Sequence, residues 1–177
     1  SVMLIIATLV IFKQMQYVQN KNLGYNRDNL LYIPIEGALI KKYDVFKQEA
    51  LNCSSISDIS KMRNSPTVIS HQTGNIYWPG KDPNLNVPFA DGVVGYDFVK
   101  TMKLQLAAGR DFSPAFNDSA NFILNETAVK KIGFKNPVGQ TMTWGNHEGK
   151  VIGVIKDFHF NSLHEKIEPL IMRLDEG

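Results

Sequence analysis

Residues 1–26 read SVMLIIATLVIFKQMQYVQNKNLGYN, and the rest of the chain is interpreted according to what this segment is. From Val2 to Phe12 every residue is apolar except Thr8, and polarity sets in abruptly at Lys13. A secretory signal needs a basic stretch before its apolar run and a small-residue cleavage site after it, and this run has neither flank. A complete membrane-spanning helix takes about 20 apolar residues. The 11-residue run here would cross roughly half the hydrocarbon at about 1.5 Å per residue. A helix buried in a globular core is the other reading. Such a helix shows one apolar stripe, whereas Val2 to Phe12 is apolar on all sides.

Beyond Lys13, Met15, Tyr17, Val18 and Leu23 are dispersed among Gln, Asn and Lys. Nothing interrupts a helix before Asn22-Leu23-Gly24, where Gly24 can take the left-handed C-cap. The expectation is one continuous helix over about residues 2–22, lipid-like in its first half and water-tolerant in its second. Phe12 and Tyr17 flank the change, where aromatic rings and lysine heads mark a membrane–water boundary. The preferred reading is the outer end of a transmembrane helix continuing as a stalk, with Leu4, Ile5, Leu9, Phe12 and Tyr17 as its membrane and stalk residues. In water, Leu4, Ile5, Leu9 and Phe12 are expected to be covered by a second copy or by the body of the domain, since an exposed rod of this kind promotes association.

The remainder has the balance of a globular domain. With 44 % apolar and 20 % charged residues over 177 positions, a real core can form. A net charge of +2 gives no case for nucleic acid, which needs clustered Lys and Arg. Lys41-Lys42 and Lys130-Lys131 read as solvated helix faces. The single cysteine, Cys53, makes no intrachain disulfide and is expected to be a small buried or half-buried structural residue. The sequons at Asn52, Asn117 and Asn125 would matter only in a eukaryotic secretory pathway.

Along the body, NLLYIPI at 29–35 reads as a strand, placed at an edge or strand end by Pro34. Residues 39–52 carry Leu39, Tyr43, Phe46 and Ala50 at helical spacing, and ISDISKM at 56–62 alternates like a second strand. Together these predict a βαβ-type unit or α/β plait. Residues 64–92 are rich in Asn, Pro, Gly and Asp and read as loops and short strands, with a strand over 87–94. A short helix is expected over 96–103, with Asp97 near its start, and a turn over AAGRDFSP. Asn125 should cap a helix over ETAVKKIG that stops at Gly133. Strands are expected over 140–144 and 150–156, joined by GNHEG, with a last strand over 170–174.

Chemistry-bearing constellations are few. Asp157, His159, His164 and Glu165 lie close in sequence, but the five-residue separation of the histidines suits neither one helix face nor one strand face. A strand end with an exposed His164 is the simpler reading. Arg110 is expected to tie a turn to a carboxylate or carbonyl. Tyr77 and Trp78 could form an aromatic surface or pack under a loop. G-x-S-x-G, G-x-x-x-x-G-K-[ST] and G-x-G-x-x-G are all absent, so the expectation is no enzyme, no catalytic residue, no metal and no cofactor.

Taken in order, QYVQNKNLGYNRDNLLYIPI, AAGRDFS, FILNETAVKKIG, NPVGQTM and VIGVIKDFHFNSLHEKIEPLIM resemble the MacB-like periplasmic core domain of MacB/FtsX-type ABC transporter permeases, in the flavour of the two-repeat permeases of Bacteroidetes. Each piece alone is a short packing or turn signature; their order after a membrane-like end carries the resemblance. It implies an α+β fold with an N-terminal stalk helix (1–27), a porter-like α/β subdomain (28–64 and 158–177, short of the family's last strand–helix–strand portion) and an inserted Sabre-like α+β subdomain (65–157). It implies the extracytoplasmic domain of a permease in a bacterial inner membrane, lying in the periplasm. There it would transmit ATP-driven motion of the membrane helices to export or release a substrate. The partners implied are a cytoplasmic ABC ATPase, a second permease copy or repeat, the membrane and a periplasmic or outer-membrane accessory protein. The alternative is a membrane-anchored extracytoplasmic ligand-sensing domain, for which a concave pocket near Trp78 and Phe89 would argue.

Overall fold

In a computed structural model, which describes residues 2–175, the chain is a mixed helix-and-sheet fold led by one long helix. Helix α1 spans Val2–Asn20. Two short helices follow, α2 (Ala38–Lys41) and α3 (Tyr43–Leu51). Then come β1 (Gln72–Thr73), β2 (Ile76–Tyr77), β3 (Phe89–Val94), α4 (Phe98–Thr101), β4 (Leu106–Gly109) and β5 (Phe122–Asn125). Helix α5 (Glu126–Ile132), β6 (Thr141–Trp144), β7 (His147–Ile155) and β8 (Leu170–Leu174) complete the order.

The strands form one sheet in the order β1-β3-β8-β5-β7-β6-β2, with β4 added alongside β7. β3 runs parallel to β8 and β5 parallel to β7, while β5 and β8 are antiparallel. Both faces of the central strands are covered, which is why they read as continuous apolar runs. The period-two alternation divides the side chains between two cores. Ile123, Leu170 and Met172 point into one with Phe98 and Val99 of α4 and Met102 just past it. Phe122, Leu124 and Ile171 point into the other with Ala128 of α5.

Helix α5 follows the sequence reading closely. The Asn125 side chain accepts from Ala128 N at 2.8 Å, Glu126 opens the first turn, Lys130 and Lys131 close the last, and Gly133 takes the left-handed C-cap. The strands over Phe89–Val94, Thr141–Trp144, His147–Ile155 and Leu170–Leu174 are also where the pattern placed them. The hairpin is tighter than GNHEG suggested: Trp144 pairs with His147 across a two-residue turn.

Other expectations are corrected. Residues 29–35 do not form a strand. A strand needs a hydrogen-bonded neighbour, and none pairs with this segment among the described residues, so Leu31, Tyr32 and Ile33 face solvent. Residues 56–62 run extended but share only one bridge, Met62 with Val94, because β1 takes the start of that edge of β3. The predicted βαβ-type unit is therefore absent among the described residues. The helix expected over 39–52 is broken at Lys42 (φ −120°, ψ 19°), and neither half buries a residue. Cys53, expected to be buried or half-buried, is exposed, since the helix before it makes no core for it to enter.

AAGR, read as a turn, is largely β4. Gly109 is used there for close approach: a Cβ on it would lie 2.2 Å from the carbonyl oxygen of Ile152. Glycine lets the β4 and β7 backbones meet where any side chain would separate them.

Candidate functional site

Helix α1 sets the terms of the site. Leu4, Ile5, Leu9, Phe12 and Tyr17 are 69, 61, 55, 56 and 66 % exposed, so the body of the domain does not cover them. The one polar side chain in the apolar half is satisfied internally, the Thr8 hydroxyl donating to Leu4 O at 2.8 Å. Sequestering one large apolar side chain is worth about 1.5–3 kcal/mol. An apolar band running from Val2 to Phe12 on every side is therefore a surface built to be covered. No helix among the described residues is long and apolar enough to cross a membrane.

Past Asn20 the chain is fastened to the body at one joint. His159 N donates to Leu23 O at 2.7 Å. Gly24, at φ 84°, lies flat against Phe158: a Cβ there would sit 2.8 Å from Phe158 Cα. Its N–H donates to Asn22 Oδ1 at 2.9 Å, turning the chain sharply. The Tyr25 ring meets Phe158 edge-on, centroids 6.2 Å apart, and Asn26 N donates to Met102 O at 3.3 Å. Partial burial raises the Tyr25 hydroxyl pKa above its ordinary value, with Arg27 pulling the other way.

The body side of the joint is packed and hydrogen-bonded. Phe158 and Phe160 are buried and pack at 5.3 Å. Asp157 accepts from both Thr127 N (2.9 Å) and Thr127 Oγ1 (2.8 Å), tying the segment to the first turn of α5. Lys156 N donates to Gln105 O at 2.8 Å, tying it to the residue before β4. The joint thus links the chain that follows α1 to the end of β7, the start of α5 and the α4–β4 connection. A cleft of about 970 Å³ opens beside the joint, its walls including Lys21, Arg27, Lys103, Lys156, Asp157 and His159.

The remaining sequence candidates are distributed elsewhere. Asp157 and His159 belong to the joint through Thr127 and the backbone, while His164 and Glu165 are exposed. Among the described residues no three His, Cys, Asp or Glu side chains converge as a metal site. Arg110 holds the buried Asp118 with two bonds of 2.6 and 2.7 Å, the turn lock expected of it, and lies over Phe116 at 4.1 Å. Trp78 packs edge-on against the buried Phe89, whereas Tyr77 is exposed; Lys81 sits near both outer rings and donates to Ile76 O. Neither Trp78 nor Phe89 lines the cleft at the joint. Sequence reasoning did not find the joint. Gly24 was read as a helix cap and DFHF as a strand end, and only the fold puts them in contact.

The family described as MacB-like periplasmic core domain matches residues 1–169. Among solved structures, the chain is similar to the periplasmic region of MacB from Actinobacillus actinomycetemcomitans, with 20 % identity, 75 % of this chain and 64 % of that one covered, and a TM-score of 0.47. It is also similar to the extracellular domain of the noncanonic ABC-type transporter YknZ from Gram-positive bacteria, with 15 % identity, 53 % of this chain and 47 % of that one covered, and a TM-score of 0.41. The chain thus spans 64 % and 47 % of the length of those two domains. No curated protein matches it.

Proposed function

Because the chain belongs to the MacB-like periplasmic core domain family, we propose that it is the extracytoplasmic domain of an ABC transporter permease and that α1 is the rod through which the membrane part moves it. The permease lies in a bacterial inner membrane with this domain in the periplasm. A cytoplasmic ATPase drives the membrane helices, and α1 carries the displacement to the joint at Leu23–Gly24. The body then changes its relation to a second permease copy or repeat, or to a periplasmic or outer-membrane accessory protein, and a substrate is exported or released. Leu4, Ile5, Leu9 and Phe12 lie in lipid in this reading, with Tyr17 at its water side. Residues 28–64 with 158–177 serve as the porter-like part and 65–157 as the Sabre-like insertion.

One observation carries the reading: a rod apolar all round from Val2 to Phe12, uncovered by its own domain, is followed by a tight backbone-to-backbone joint just past β7. An α-helix is stiff along its axis, so the nine residues from Phe12 to Asn20 transmit a push over about 12 Å without a hinge. No chemical step is assigned to this domain. The test is to soften the rod in the permease that carries it. Three glycines inserted after Gln16 should abolish export while leaving ATP hydrolysis and domain folding intact. Undiminished export by a correctly inserted permease would refute transmission through α1.

A further inference from the structure

The cleft beside the joint has a charge character that force transmission does not need. Four cations, Lys21, Arg27, Lys103 and Lys156, border it. None of the four forms an ion pair among the described residues, although the Lys21 ammonium lies over the Tyr17 ring, 5.7 Å from its centroid. Elsewhere Lys47, Lys61, Lys100 and Arg110 are each matched to an aspartate. The opposing carboxylates in the cleft are Asp28 and Asp157, and both oxygens of Asp157 are already engaged by Thr127. His159 adds a half-buried imidazole to the wall. In a chain of net charge +2, positive charge without an ion-pair partner is thus gathered around one open, largely polar concavity. Lys103 also stands at φ 52°, a left-handed conformation that glycine or asparagine takes with less steric strain.

From this we infer that the cleft binds a phosphate-bearing anion, with Arg27 and Lys156 as its principal contacts and Lys21 and Lys103 completing the positive wall. Phosphate suits the donor set better than a single carboxylate does. It has more acceptor oxygens and more charge, and a guanidinium can meet it through two parallel bonds. The site would serve equally for a lipid headgroup or a soluble phosphate compound. The chemistry of the cleft does not depend on the transmission reading; only the choice of source does. In that reading the cleft stands about 12 Å above Phe12, beyond a headgroup layer of roughly 5–8 Å, so a resting lipid would have to be drawn outward to reach it.

The test is a titration of the isotope-labelled chain in a non-ionic detergent with inorganic phosphate, at ionic strength held constant with sodium chloride. Saturable amide shifts confined to residues 21–28, 103–105 and 156–159 are expected. Arg27→Gln with Lys156→Gln should weaken binding by about tenfold or more, whereas Lys150→Gln, outside the cleft, should leave it unchanged. Shifts that stay linear, scatter over the surface, or fall equally with both variants would overturn the proposal. A parallel arm compares nanodiscs of phosphatidylcholine with and without phosphatidylglycerol. Cleft shifts only with the anionic lipid assign a headgroup; phosphate binding without them assigns a soluble source. Silence in both arms sinks the site and leaves transmission through α1 standing.

Discussion

Gly24 is the residue on which the joint turns, because two demands meet there: a left-handed backbone and contact with Phe158 without a Cβ between them. Gly133 has nearly the same conformation, φ 86° against 84°, yet nothing lies within 4 Å of its hypothetical Cβ. The pair separates backbone strain from contact. Gly133→Ala should destabilise the fold by about 1 kcal/mol, and Gly24→Ala by roughly 2–4 kcal/mol, with loss of hydrogen-exchange protection at His159 N. Equal losses at the two sites would mean that Gly24 is only a turn residue. A second residue-scale prediction concerns acid. Burial, with a smaller contribution from Asp97, pushes the Asp111 carboxyl up from 3.8 to about 6, although backbone N–H groups of Phe112, Lys100 and Val99 oppose it. Its folded form therefore holds a proton that the unfolded chain has released, so its contribution is greatest below about pH 4 and declines as pH rises through about 6. Asp118 acts in the opposite sense. Arg110 lowers its pKa, so its contribution is present at neutral pH and fades as pH falls below its ordinary 3.8. Denaturant titrations between pH 4 and 7 should thus show Asp111→Asn removing a decline in stability that the parent shows. A parent and variant with parallel profiles would contradict it.

At the scale of elements, legibility followed how many local signals agreed. Helix α5 was readable because cap, first-turn acid, last-turn lysines and closing glycine all point the same way, and β8 because both of its faces are buried. Residues 29–35 have the composition of a strand, but composition cannot supply a ladder partner, and none is present among the described residues. The strand β4 was missed for the converse reason: its glycine is there for contact with β7, which leaves no local trace different from a turn. The joint was invisible on the same ground, its two halves being separated by more than a hundred residues of chain. Asn125 shows how one such residue can bind distant elements. Its side chain caps α5 through Ala128 N, accepts from Leu170 N at 2.9 Å and donates to Glu168 O at 2.9 Å. Asn125→Ala removes the cap and leaves the buried Leu170 N and the part-buried Glu168 O short of partners, so a loss of about 3–5 kcal/mol is expected, well above that of a lone cap. A cost near 1 kcal/mol in chemical denaturation would show that β8 does not depend on it.

For the whole molecule the decisive feature is an imbalance between the two ends of α1. The sheet is complete enough to bury both faces of its central strands, so the body has its own cores. The rod contributes to neither core, and residues from Val2 to Phe12 hold large apolar side chains in the open. With about 1.5–3 kcal/mol available per side chain covered, that surface can gain on the order of ten kcal/mol or more by finding lipid, detergent or another copy. This exceeds the free energy that separates many monomers from dimers at ordinary concentrations. It also predicts where the effect resides. The chain in water should associate, a lipid bilayer should take up the rod and disperse it, and deletion of residues 1–13 should give a monomer with an unaltered sheet. Light scattering on both forms, with circular dichroism to confirm the fold, makes the comparison. If the intact chain is monomeric in water, the apolar half of α1 is not the adhesive surface that its exposure requires, and a membrane setting for it loses its main support. If the truncated form associates as strongly, the adhesive surface lies elsewhere, with exposed Leu31, Tyr32 and Ile33 the next place to look.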